Sequence, residues 1–307
     1  MYTKRKIILP LILLIIVVPA VIVRGIFFFS GDGETETIRV YDHKSEEVEA
    51  MELNEYLLGV VAAEMPAAYH MEALKAQAVA TRTYTVRKLT REQEEHPEAD
   101  VCTDVNHCQA YLSPAELRVR WGVLNYYYNR KRIYSALEAT RGEILVYQGE
   151  PVEALYHSNS GGRTENAVHV WGTDVSYLQS VNSPYDSDRE DNYRQKVTYS
   201  LSRLEDRLEV EIGDQFYTSL QRSDSDRVLE LEIGGKKFTG REIRELLGLP
   251  STRFTVERKG NQVVFQVLGK GHGVGMSQDG ADGLARRGRN YREILAHYYR
   301  ETDIVGW

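Results

Sequence analysis

A change of period near residue 140 restricts the fold more than any other feature of this sequence. Before it, apolar residues recur at three- and four-residue spacing. Asn54 reads as the N-cap of a helix over Glu55 to Met65, which Pro66 stops. A second helix is predicted from Met71 to Glu94. It is rich in alanine (Ala73, Ala76, Ala78, Ala80), so other elements can approach its backbone closely. Residues 95–114 read as a loop, and a third helix is predicted from Asn125 to Thr140, with Gly142 as the stop. After it, ILVYQ and VEALYH flank Gly149-Glu150-Pro151, VLELEI and KKF flank Gly234-Gly235, and RFTVER and QVVFQVLG flank Lys259-Gly260-Asn261, each pair reading as a hairpin. Short helices are expected over 201–209, from Thr239 and from Tyr291 to Arg300. Helices first and hairpins later predict an α+β fold, N-terminal helices packed with antiparallel β-hairpins, and not a doubly wound parallel sheet.

Upstream, Lys4-Arg5-Lys6 precede an apolar run from Ile7 to Phe29. The run is long enough to span a hydrocarbon core of about 30 Å. Its basic flank predicts residues 1–6 in the cytoplasm and the remainder outside. A cleaved signal peptide is the rival, but the run exceeds a usual h-region and no small-x-small site follows it. The expected organisation is therefore an anchor at 7–29, a linker at 30–37, a domain over 38–302 with a smaller subdomain at 183–250, and a tail at 303–307. The overall formal charge is −7, and the first 29 residues hold four positive charges and no negative one, so the exported part carries −11. Such a charge excludes nucleic acid as a general partner, because phosphate binding needs clustered Lys and Arg.

Within the first helix, Leu57, Val60, Val61 and Glu64 stand at i, i+3, i+4 and i+7, on one face. Glu64 thus continues an apolar stripe. Burial disfavours the charged carboxylate and raises its pKa, and a carboxyl still protonated near neutrality can act as a general acid. The competing reading is an acid that pairs with an arginine or caps a nearby amide. Arg82, on the alanine-rich helix, is the candidate to contact substrate or orient the acid.

Two glycine-rich turns follow strands. SNSGGRTEN, residues 158–166, offers the Ser158 and Ser160 hydroxyls and backbone N–H groups to a polar ligand. GKGHGVGMSQDGA, residues 269–281, brackets His272 and carries Gln278; it lacks the ending of a phosphate loop. His157 and His272 suit sugar hydroxyls or proton transfer, with satisfaction of a turn's backbone as the alternative. Trp171 and Tyr177 supply flat apolar faces of the kind that meet sugar C–H groups.

His96, Cys102 and Cys108 fall at H-x5-C-x5-C, with His107 a further potential ligand. That set suits a structural Zn²⁺. A Cys102–Cys108 disulfide is the rival for a domain outside the membrane, and spacing does not separate the two.

Four stretches in order, LLGVVAAEMPAAYHMEALKAQAVATRTY, HSNSGGRTENAVHVWG, YLQSV and GKGHGVGMSQDGA, resemble the SpoIID/LytB family over about residues 38–302. Asp279 departs from the aromatic expected in MSQ-x-GA. The resemblance implies a peptidoglycan lytic transglycosylase of sporulation engulfment. It would cleave MurNAc–GlcNAc bonds of peptide-stripped glycan strands to 1,6-anhydro products, with Glu64 as the catalytic acid and Arg82 and Tyr177 supporting the substrate. It implies no cofactor for the chemistry, the sporulation amidase P and the membrane protein M as partners, and a place in the mother-cell membrane facing the septal space. A single apolar-facing acid agrees with such a reaction, since the sugar's own C6 hydroxyl replaces the second carboxylate of ordinary glycosidases. A non-catalytic glycan-binding scaffold and a zinc hydrolase at His96, Cys102 and Cys108 are the alternatives.

Overall fold

Helix α1 (Leu53–Glu64) buries Leu57, Val60 and Val61 completely. The computed structural model that shows this describes residues 36–90, 96–105 and 107–307. The expected anchor at 7–29 lies outside the described residues, among which no helix is long and apolar enough to cross a membrane. Helix α1 starts just before the expected cap, with Glu52 in the N-cap position and no side-chain cap. Helix α2 (Met71–Leu89) ends at the Thr90 C-cap, short of the expected Glu94. Helix α3 (Pro114–Ala139) begins well before Asn125, because Ser113 and Glu116 form a capping box with proline in the first turn. A break at Gly122 (φ 70°, ψ 161°) interrupts it. The helical period is therefore continuous only in its second part, the part legible in the sequence.

Ala73, Ala76 and Ala80 face one core, shared with Leu295 and Tyr298, while Ala78 faces another, shared with Leu57 and Ile133. The small side chains let α2 run through the middle of the molecule with neighbours on both sides.

Strands β1 (Thr37–Asp42), β2 (Glu47–Glu52) and β3 (Val101–Cys102) form a small sheet in the order β2-β1-β3, with β3 parallel to β1 inside the expected loop. The first expected hairpin is different in detail. Strand β4 (Glu143–Tyr147) pairs with β5 (Glu150–Pro151), but the chain then leaves, and β6 (Tyr156–His157) pairs in parallel with β13 (Met276–Ser277). The other edge of β4 takes β14 (Asp303–Gly306), within residues read as a tail. Between β6 and β13 come α4 (Ala167–Trp171), β7 (Arg194–Ser200), α5 (Leu201–Leu208), β8 (Ser219–Arg222), β9 (Val228–Ile233), β10 (Lys236–Thr239), α6 (Gly240–Leu247), β11 (Phe254–Lys259) and β12 (Gln262–Leu268). The β9–β10 and β11–β12 hairpins pair as Ile233↔Lys236 and Lys259↔Gln262, as the alternation predicts. Leu204, Leu231, Ile243, Val263 and Phe265 form a separate apolar core there, each side chain contributing about 1.5–3 kcal/mol by burial. Helices α7 (Gln278–Arg286) and α8 (Tyr291–Tyr298) return to α2. The mixed helices and antiparallel sheets are the expected α+β class.

Candidate active site

Glu64 ends α1, and the loop after β3 closes over it. Gly59 permits this closure: a Cβ there would lie 2.2 Å from Cε2 of Tyr111, so the ring lies directly on the helix backbone. The neighbouring Ala110 N–H consequently donates to Glu64 Oε1 at 3.1 Å. Burial pushes the Glu64 carboxyl up, and the Ala110 N–H opposes that rise in part. Among the described residues the carboxylate has no ion-pair partner. Arg120 lies close by, but its Nη1 donates to the Ala62 and Ala63 carbonyls, 3.2 and 3.3 Å away, capping the last turn of α1. The acid thus has no cationic partner among the described residues, while the Ala110 N–H is the amide contact of the competing reading.

Tyr156 stands in the electrostatic reach of Glu64, whose charge helps burial to raise the phenol's pKa. Its hydroxyl donates to Gln109 Oε1 at 2.7 Å, and Gln109 Nε2 donates to Thr85 Oγ1 at 3.3 Å. On the same face of α2, Gln77 Nε2 donates to Thr81 Oγ1 at 3.2 Å, and Gln278 Nε2 donates to Gln77 Oε1 at 3.3 Å. Gln77, Thr81 and Thr85 recur at four-residue spacing and are fully buried. A polar seam therefore runs through the core from the neighbourhood of Glu64 to Gln278. The spacing of Gln77, Thr81 and Thr85 was a readable signal; Tyr156 and Gln109 carried none.

Arg82 has another role. It is 2% exposed, and its guanidinium donates to the carbonyls of Thr140 (2.7 Å), Leu137 (3.2 Å) and Glu143 (3.2 Å). It closes the C-terminal end of α3, where helix carbonyls lack partners, and burial lowers its pKa to about 10. Tyr177 is likewise in the core, its hydroxyl accepting from the Glu153 N–H at 3.0 Å and its ring beside Tyr147.

The N–H groups of the SNSGG turn do not await a ligand. Asp186, fully buried, accepts from the N–H groups of Ser160 (2.9 Å) and Gly162 (3.0 Å) and from the Ser160 hydroxyl. The hydroxyls of Ser183 and Ser277 donate to its other oxygen at 3.0 and 2.6 Å. Ser158 contributes its carbonyl to the Asp279 N–H. The unexpected Asp279 is itself buried, accepting from Tyr69, Asn159 and Asn192. Both acids lay in polar stretches with no period to mark them.

His157 donates from Nδ1 to the Val274 carbonyl at 3.0 Å, leaving Nε2 buried without a partner among the described residues. His272 accepts from the Val274 N–H at Nδ1 (3.1 Å) and donates from Nε2 to the Tyr156 carbonyl (3.1 Å). Burial lowers its pKa to about 4, so it is neutral at physiological pH. The two rings lie 5.5 Å apart, and Trp171 lies 5.3 Å from His272.

The ligand atoms of His96, Cys102 and His107 lie within 4.8 Å of one another. Cys108 adjoins them, its Sγ accepting from the Cys102 N–H at 3.3 Å, and both cysteines are free thiols. The Cys108 thiol is held below its ordinary range, first by a hydrogen bond from the Cys102 thiol. The spacing argument thus located the cluster but ranked Cys108 ahead of His107.

A family model described as "Stage II sporulation protein" matches residues 41–147, the segment holding α1, α2 and the cysteine loop. Stage II sporulation protein D of Bacillus amyloliquefaciens is 39% identical over 271 residues, covering 87% of this chain and 78% of that protein. This chain belongs to the stage II sporulation protein D family. The Bacillus subtilis (strain 168) protein of that name is 38% identical over the same shares. A protein of B. subtilis named amidase enhancer is 26% identical to this SpoIID-family chain, over 82% of it and 40% of the relative. A second model, described only as a domain of unknown function, matches residues 170–275.

Proposed function

We propose that this sporulation protein is a lytic transglycosylase of engulfment that cuts peptide-stripped peptidoglycan strands between MurNAc and GlcNAc. The observation that supports this most is the state of Glu64: a carboxyl on an apolar stripe, raised by burial, free of any cation and held by one backbone N–H. Glu64 protonates the glycosidic oxygen as the C1–O4 bond breaks. The C6 hydroxyl of the same MurNAc attacks C1, its proton returns to Glu64, and a 1,6-anhydro end forms without consuming water. Among the described residues no second carboxylate shifts Glu64, and this chemistry needs none. Glu64→Gln should leave strand binding intact and lower release of anhydro-muropeptides about 10²–10⁴-fold by mass spectrometry. Undiminished release from that variant would remove Glu64 from the mechanism, and absence of anhydro ends from the unsubstituted protein would leave a glycan-binding scaffold.

His96, Cys102, His107 and Cys108 provide a Cys₂His₂ donor set of the kind that holds structural Zn²⁺. The ion would brace the loop that delivers the Ala110 N–H to Glu64, a structural role only. Elemental analysis should find one zinc per chain, lost in Cys102→Ser together with a lowered Tm; a metal-free wild-type chain would refute the site. Residues 7–29 anchor the enzyme with the N-terminus cytoplasmic and the catalytic part facing the septal space. The amidase that strips stem peptides (amidase P) and the membrane protein M are its partners, in keeping with the name of the amidase enhancer relative.

A further inference from the structure

A cavity of about 400 Å³ lies between α4, β9 and α6, and almost all of its wall belongs to the segment matched only as a domain of unknown function. Its volume is in the range of small-ligand sites. Trp171, His272, Arg227, Arg241 and Arg244 line it together with the acids Glu165 and Glu245.

Arg227 is 1% exposed, yet only Nη2 is engaged, donating to the Ser160 carbonyl at 2.8 Å. Its Nε and Nη1 have no partner among the described residues. The nearby acid does not satisfy them. Glu165 already accepts from the Asn166 N–H (2.8 Å), His169 Nδ1 (2.9 Å) and the hydroxyls of Ser223 and Ser225, which fills a carboxylate's capacity. Arg241 is paired with Glu245 at 2.8 Å. Arg244 is half-buried, and its guanidinium has neither hydrogen bond nor ion pair among the described residues. Gly273 fixes the arrangement: with φ at +90°, its missing Cβ would lie 2.4 Å from the Arg227 guanidinium carbon, so the arginine packs flat on the turn. Burial, opposed by the charge of Glu165 and aided by Arg253 and Arg244, lowers the Arg227 pKa to about 10, so it remains a cation at neutral pH. A buried guanidinium with two idle donors is costly and marks a site for an anion.

We infer that this cavity binds the lactyl carboxylate of a peptide-free muramoyl residue, with Arg244 meeting the carboxylate, Arg227 supplying the field from behind it and Trp171 lying against the sugar. The inference rests on the proposed substrate: removing a stem peptide uncovers one carboxylate per MurNAc, whereas an intact peptide masks it as an amide. It follows that the enzyme recognises stripped strands by charge, although its exported part is strongly acidic.

Binding is measured by calorimetry with the full-length chain carrying Glu64→Gln, so that no strand is cut. The probes are a peptide-free GlcNAc–MurNAc tetrasaccharide and the same saccharide with each lactyl carboxylate converted to a carboxamide. The carboxylate form should bind about tenfold tighter, as expected for a charge-assisted contact. Adding Arg244→Gln or Arg227→Met, each of which removes one positive charge, should abolish that preference. Equal binding of the two probes, or a preference that survives both substitutions, would overturn the inference. Product analysis of the unsubstituted chain reports separately on the transglycosylase reading, so failure of one is distinguishable from failure of the other.

Discussion

Two buried arginines divide the molecule into a part that holds itself together and a part that waits for something. Arg82, in the helical core, has its guanidinium engaged by three carbonyls at the end of α3. Arg227, beside the β-rich segment, is equally buried and engages one. Burial alone does not separate structure from function; the count of unsatisfied donors does. The sequence drew attention to Arg82, on a conspicuous helix, and passed over Arg227, between two unremarkable strands.

The comparison can be broken by stability measurements. Arg82→Met should produce the largest effect, about 3 kcal/mol of destabilisation in urea melts, because three buried carbonyls lose their donor at once. Arg227→Met should cost no more than about 1 kcal/mol, because removing a poorly satisfied buried charge offsets the lost contact. Equal losses in the two variants would erase the distinction. The smallest effect concerns Glu64. Its pKa is raised in the folded state, so its contribution to stability is present while it is protonated and lost as pH rises through the folded pKa. Glu64→Gln should therefore gain on the wild type between pH 4 and pH 8 in thermal melts. The same shift places the alkaline fall of wild-type activity above the usual carboxylate range, and a fall at the pH of a free glutamic acid would contradict the raised pKa.

Local pattern explains what was legible. The stripe Leu57, Val60, Val61, Glu64 announced both a helix and an acid turned inward, and the β9–β10 and β11–β12 hairpins followed from alternation around glycine turns. The H-x5-C-x5-C spacing located a cluster of metal-type donors, since neighbours in one loop stay neighbours in space. Distant partners were not legible. Strand β6 is two residues long, too short to show a period, and its mate lies on the far side of an entire subdomain. The carbonyls that claim Arg82 are more than fifty residues away in the chain, and Asp186, which holds the SNSGG turn, sits in a polar stretch where an acid is unremarkable.

The seam that joins Gln278 to Gln77 spans 201 positions of the chain. Contacts so remote close late, because ordering them carries the entropy of the whole intervening loop. The β-rich segment, with its own apolar core and its short-range hairpins, can fold while that loop is still open. A chain released only through its first two hundred residues therefore holds Glu64, Ala110 and Tyr156 but lacks the Gln278 end of the seam. The seam is complete only when Gln278 emerges and takes its place against α2.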